Sequence, residues 1–166
     1  MKIKSTLAAA MVIASLPAAA DTASSNNGAV IIGPLQVSNT QALYFGTIAP
    51  SVSASGTANL VPSASAATRT CSAELACLTN DFTQAEFTVI GDIDRVVTYD
   101  VPANVSVSNG STGNMTIALA GESAINGTRV LTGGISRLNF GGTLSVAANQ
   151  PPGDYTGQFT LTVEYQ

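Results

Sequence analysis

Gly141-Gly142-Thr143-Leu144-Ser145-Val146, then Pro151-Pro152-Gly153-Asp154-Tyr155-Thr156-Gly157, then Gln158-Phe159-Thr160-Leu161-Thr162-Val163-Glu164-Tyr165-Gln166 form the stretch that decides the fold. In its last part Phe159, Leu161, Val163 and Tyr165 alternate with polar residues, which predicts a C-terminal strand with one buried face. Pro and Gly punctuate the approach to it, as a turn requires. Tyr155, just after Pro-Pro-Gly-Asp, is placed to act as a corner residue anchoring that strand. Leu138, Phe140, Leu144 and Val146 share one parity across Gly141-Gly142, where a bulge or a close backbone approach is expected.

Working back from there, the same texture recurs. Alternating or short apolar runs stand at Leu43–Phe45, Thr57–Pro62, Thr68–Cys71, Phe82–Ile90, Val97–Val101, Val105–Val107 and Met115–Leu119, separated by Gly, Pro, Asn and Ser. Many short strands with regular turn signals predict an all-β fold, a single antiparallel sandwich of immunoglobulin-like type. One short helical turn is expected inside Ala73–Leu78. Val30, Ile32, Leu35 and Val37 flank Gly33-Pro34 and read as a candidate first strand, interrupted by a proline that cannot donate to a ladder.

The N-terminus has a different character. Lys2 and Lys4 precede an apolar run from Leu7 to Leu16 and then Ala18-Ala19-Ala20, the order of a secretory signal peptide. The run is shorter than the ~20 residues a membrane span needs. The expected organisation is a signal peptide over residues 1–20, a polar leader over 21–29 and a β-sandwich over 30–166, with the protein in the periplasm and then at the cell surface or outside the cell.

Removal of residues 1–20 takes away both lysines. What remains has four arginines, ten acids and neither His nor Trp, a net charge of −6. Scattered arginines in an acidic chain make a poor nucleic-acid binder, because phosphate binding relies on clustered cations. Without His or Lys, neither a Ser-His-Asp triad nor a lysine nucleophile can be built. Carboxylate pairs are the remaining catalytic option, and Asp92, Asp94 and Asp100 around Arg95 are the candidates; a solvated hairpin is the favoured reading of them. No catalytic, cofactor or metal residue is assigned. Cys71 and Cys77 are the only cysteines. An even count in an exported chain predicts a disulfide, and closing so short a loop stabilises by roughly 2–2.5 kcal/mol in the chain-entropy model.

Three passages resemble one bacterial secreted family, the domain-of-unknown-function family forty-four-oh-two. Leu43-Tyr44-Phe45-Gly46-Thr47-Ile48 resembles its opening L-x-F-G-x-I strand, Phe87-Thr88-Val89-Ile90-Gly91 its central F-x-V-x-G, and the Gly141–Tyr165 ending its G-G-T-L-x-V…G-x-Y-x-G…V-x-Y. That family is similar in pattern to chaperone–usher pilus subunits, including the archaic and spore-coat-U-like kinds. The resemblance implies a sandwich lacking one strand, completed by a neighbour's N-terminal extension through β-strand addition. It implies self-association or association with other pilus-like subunits, with a periplasmic chaperone and usher as further partners. Residues 30–37 then serve either as a donor strand or as the first strand of a complete domain. The function expected is a structural subunit of a fimbria-like or surface-coat assembly. The alternative is a secreted monomeric binding module, for glycans or a surface ligand.

Overall fold

The structure, a computed structural model, describes residues 28–166. The signal peptide expected over 1–20 and most of the polar leader lie outside the described residues. Twelve strands run in chain order: β1 (Gln36–Gln41), β2 (Ile48–Pro50), β3 (Gly56–Val61), β4 (Thr68–Cys71), β5 (Leu75–Cys77), β6 (Ala85–Ile90), β7 (Val96–Asp100), β8 (Asn104–Ser108), β9 (Asn114–Gly121), β10 (Asn126–Val130), β11 (Ile135–Val146) and β12 (Thr162–Tyr165). One 3-10 turn, Thr132–Gly134, precedes β11.

All pairings are antiparallel. A seven-stranded sheet runs β1-β6-β11-β3-β4, with β9 also on β11 and β8 on β9; a three-stranded sheet runs β10-β7-β12; and β2 pairs with β5 alone. The alternation in the sequence explains the two-sided burial. Ala58 and Leu60 on β3 and Val89 on β6 are buried while their strand neighbours Thr57, Asn59 and Ile90 face solvent. The buried faces of both sheets meet in one core. Phe140 sits at its centre, edge-on to Phe87, to Phe159 and, from the smaller sheet, to Tyr99, with centroids 6.0, 6.3 and 6.4 Å away. The molecule is therefore an antiparallel β-sandwich.

β11 organises the larger sheet. Its first half pairs with β6 (Ile135↔Ile90 to Phe140↔Ala85), and its second half lies between β3 (Leu144↔Ala58) and β9 (Leu144↔Ile117). Gly141 and Gly142 sit at the change of partner. A Cβ on Gly141 would lie 2.2 Å from the Leu60 carbonyl oxygen, and one on Gly142 would lie 2.4 Å from that of Ala118. Neighbouring backbone occupies the space of any side chain there, which is the close approach the glycine pair predicts.

Three expectations are corrected. Ala73–Leu78 holds no helical turn: after a turn closed by Leu75 N–H to the Ser72 carbonyl, Leu75–Cys77 forms β5, because Ile48–Pro50 offers it a ladder. Val30–Ile32 is not a strand. Ladder pairing starts at Gln36, with Gln36↔Ile90 and Val37↔Val89 in the chain's own sheet, while Leu35 packs on the core just before it. The C-terminal ladder covers Thr162–Tyr165 only; Phe159 and Leu161 pack into the core from an extended segment that forms no ladder.

Candidate functional site

The two sheets are unequal, and the site follows from that mismatch. β12 is an edge strand whose single ladder partner is β7. Beyond its free edge, the inner face of the larger sheet continues through β8, β9 and the second half of β11. A groove of about 1080 Å³ lies over that face. Its floor is aliphatic, built by Val105 and Val107 of β8, Ile117 and Leu119 of β9, and Leu144 and Val146 of β11. Alternation puts all six on one side of their strands, and register puts Val105 opposite Ile117 and Leu144 opposite Ile117.

Two segments form the rims. One is Ala42–Pro50, which leaves β1 after a register shift between Asn39 and Gln41. The other is Gln150–Thr160, leading to β12. Neither rim is fully laddered. On the first, Tyr44 exchanges backbone hydrogen bonds with Thr83, both 2.8 Å, while Leu43 and the Phe45 amide have no hydrogen-bond partner among the described residues. On the second, Thr156 pairs with Ser108, and Gly157–Leu161 makes no backbone–backbone hydrogen bond among the described residues.

The start of the second rim is fixed in detail. The Tyr155 hydroxyl donates to the Pro151 carbonyl at 2.7 Å and accepts from Gln150 Nε2 at 2.8 Å. Asn109 Oδ1 accepts from Ser111 N–H and Gly113 N–H at the tip of the β8–β9 turn, and its Nδ2 donates to the Pro152 carbonyl. Tyr155 thus acts as the corner its position predicts, and the chain enters the rim in one direction. Phe159 then turns its ring inward, 5.7 Å from Phe87.

An aliphatic floor between two rims that keep unused backbone groups has a definite complement. Unpaired backbone polar groups next to apolar surface are costly until a partner supplies N–H and C=O groups. An extended strand does this along both edges while sending alternate side chains to the floor.

The remaining candidates have ordinary positions. Val30 and Ile31 are 84% and 94% exposed, and Ile32 is half as exposed or less. From Gly33 the chain is tied down: Gly33 N–H donates to Asp92 Oδ1 at 3.0 Å, and the Tyr165 hydroxyl donates to the Gly33 carbonyl. Tyr165 also takes the Asp92 amide at 2.8 Å, so Asp92 and the end of β12 anchor the chain entering β1. Asp94 occupies a left-handed turn position, and Asp100 lies in the β7 ladder opposite Asn126 and Thr162. Among the described residues there is no group of three or more His, Cys, Asp or Glu side chains placed to hold a metal ion. Cys71 and Cys77 are bonded, with Cα atoms 6.3 Å apart.

A second hollow, about 520 Å³, shares Met115, Val146 and Gln150 with the groove and is otherwise lined by short polar side chains. Glu74 stands exposed on it. The Ser72 hydroxyl, and then the backbone, hold its carboxyl below the usual glutamate range. No helix among the described residues is long and apolar enough to cross a membrane.

Fold and groove together define a class: a small antiparallel β-sandwich with one incompletely covered inner face. The chain belongs to the family described as "Domain of unknown function (DUF4402)", which it matches over residues 35–165. No curated protein and no solved structure matches it.

Proposed function

We propose that this protein is an extracellular structural subunit of a fimbria-like or surface-coat assembly, and that its groove takes up an extended strand from another subunit. The observation that carries this reading is the aliphatic floor flanked by two rims, Ala42–Phe45 and Gly157–Leu161, with backbone groups left over. In this reading residues 1–20 direct export, the subunit works without catalysis or cofactor, and a periplasmic chaperone covers the groove until assembly. The exposed Val30-Ile31-Ile32, ahead of the anchor at Gly33, has the composition of a donor strand. Val37 does not share that role, because its place is beside Val89 in its own sheet. A glycan-binding module is the alternative, for which Tyr44, Phe45, Phe87, Tyr155 and Phe159 in the groove offer aromatic surface; the leftover backbone groups of both rims are what favour the strand.

The test removes residues 21–32 from the processed chain and leaves the anchored Gly33 in place. Full-length processed protein should form higher oligomers on size-exclusion chromatography with light scattering. The truncated body should stay monomeric and bind a synthetic peptide spanning residues 26–35. Full-length protein that remains monomeric at high concentration, together with a body that ignores the peptide, refutes the proposal.

A further inference from the structure

The sandwich holds the inner part of the first rim, where Tyr44 pairs with Thr83 and Phe45 is buried in the core, but the outer part has no ladder to either main sheet. That outer part, β2, has a single ladder partner, β5, and β5 has no other ladder than β2. Thr47 adds two links to the stretch after β5: its N–H donates to Thr79 Oγ1 at 2.9 Å, and its carbonyl accepts from Leu78 N–H at 2.9 Å. This two-stranded flap must be fastened to the larger sheet by something else.

Besides the packing of Ile48 and Leu75 on the core, two cross-links hold the flap, and both start from β4. Cys71, opposite Ala58 of β3, is bonded to Cys77 of β5. Two residues earlier on the same strand, Arg69 sends its guanidinium to the Phe45 carbonyl on the rim with one nitrogen and to the Thr79 carbonyl beyond β5 with the other. The guanidinium carbon lies 5.0 Å from the centre of the Phe82 ring. A planar fork with several fixed donors can bridge two carbonyls on separate segments while lying on an aromatic face; an ammonium cannot reproduce that geometry. The backbone is shaped to receive it. Gly46 has φ +75°, and a Cβ there would fall 2.4 Å from an Arg69 nitrogen and 2.9 Å from Asp81 Oδ1.

We infer that Arg69 and the Cys71–Cys77 bond form a clasp that holds the Leu43–Pro50 rim at the width a strand requires, so that Arg69 is a positioning residue for strand uptake. The inference rests on the strand-accepting reading of the groove. Arg69 touches no floor residue; it acts through Phe45 and Thr79.

Hydrogen exchange followed by mass spectrometry on the full-length processed chain tests the clasp, beside peptide binding by the body lacking residues 21–32. The peptide is the one spanning residues 26–35. In Arg69→Gln, amides of 42–50 and 75–80 should exchange at least ~10-fold faster, while those of β6 and β11 keep their protection. Peptide affinity should fall by a similar factor. Arg69→Lys should resemble Arg69→Gln more than wild type. The Cys71→Ser/Cys77→Ser pair gives a second route, with loosening again confined to the flap. Unchanged exchange over 42–50 in Arg69→Gln overturns the inference, and so does a uniform rise that includes β6 and β11, since Arg69 would then be part of the general core. If the flap loosens as stated but wild-type body takes up no peptide, the clasp stands and the strand-accepting reading fails.

Discussion

Phe140→Ala and Phe159→Ala make a matched pair whose difference measures whether the groove is open in solution. Phe140 is 1% exposed and sits edge-on to three other rings, so truncation leaves a closed void between the sheets. Phenylalanine-to-alanine changes in such places cost about 3–5 kcal/mol, of which a part is the residual cavity at ~24 cal/mol per Å³. A value of about 4 kcal/mol is a quarter or more of the 5–15 kcal/mol that holds a domain together. With a urea m-value of about 2 kcal/mol/M, the midpoint falls by about 2 M. Phe159 also pairs with Phe87 and Phe140, but it lines the groove. Removing its ring widens a space that already exists and seals no new void, so the cavity part drops out and the expected cost is about 2 kcal/mol. Urea unfolding of the processed chain, followed by tyrosine fluorescence and far-UV circular dichroism, reads both. Equal costs for the two variants refute an open groove, and a Phe140→Ala cost under about 1.5 kcal/mol refutes the central position of that ring.

Gly141→Ala drives a Cβ into the Leu60 carbonyl and should cost about 3 kcal/mol, a fall of about 10 °C in Tm by calorimetry; a shift under ~2 °C counts against the close approach. Tyr155→Phe leaves the ring in place and removes the hydroxyl that joins Pro151 to Gln150, with an expected loss of about 1 kcal/mol and faster amide exchange in 150–157; unchanged exchange there would show the corner is not held by that hydroxyl. Ser72→Ala removes the main partner of the Glu74 carboxylate, so the Glu74 midpoint in a carboxyl NMR titration moves up toward the ordinary glutamate value. Because the folded value is the lowered one, this small stabilisation is present at neutral pH and disappears as pH falls through that value. A midpoint that stays put contradicts the assignment.

How much of this was legible beforehand depended on whether burial was one-sided. β3, β6, β8 and β9 bury every second residue against the core, so their period of two stands out in the sequence. β10 pairs all five residues of Asn126–Val130 with β7, but its sequence is polar and its side chains are mostly exposed, and no alternation marks it. β2 and β5 are three residues each, too short to show a period. Phe159 and Leu161 misled in the opposite direction. Their side chains alternate into the core as a strand's would, yet among the described residues the backbone of this segment makes no backbone–backbone hydrogen bond, so it forms no ladder. The cysteine pair was readable because its partners are six residues apart, and the Gly141-Gly142 approach because paired glycines inside a strand pattern mark a close backbone approach, although Leu60 and Ala118 lie far off in sequence. The groove was not, since it is lined by residues as far apart in sequence as Leu43 and Phe159. The Leu43–Ile48 passage carried family resemblance but no hint of Arg69, whose partners lie 24 and 10 residues away.

β11 has a consequence for the order in which the molecule can be built. Six of the seven strands in the larger sheet, from β1 to β9, are made before β11, the partner shared by β3, β6 and β9 through residues 135–146. At about 5–20 residues per second, the first 134 residues take roughly 7–27 s to make. Throughout that interval β1 can pair with β6, β4 with β3 and β8 with β9, but these pairs cannot be joined into one sheet. β11 therefore closes the sheet late, joining two halves that can only be brought together once residues 135–146 are present.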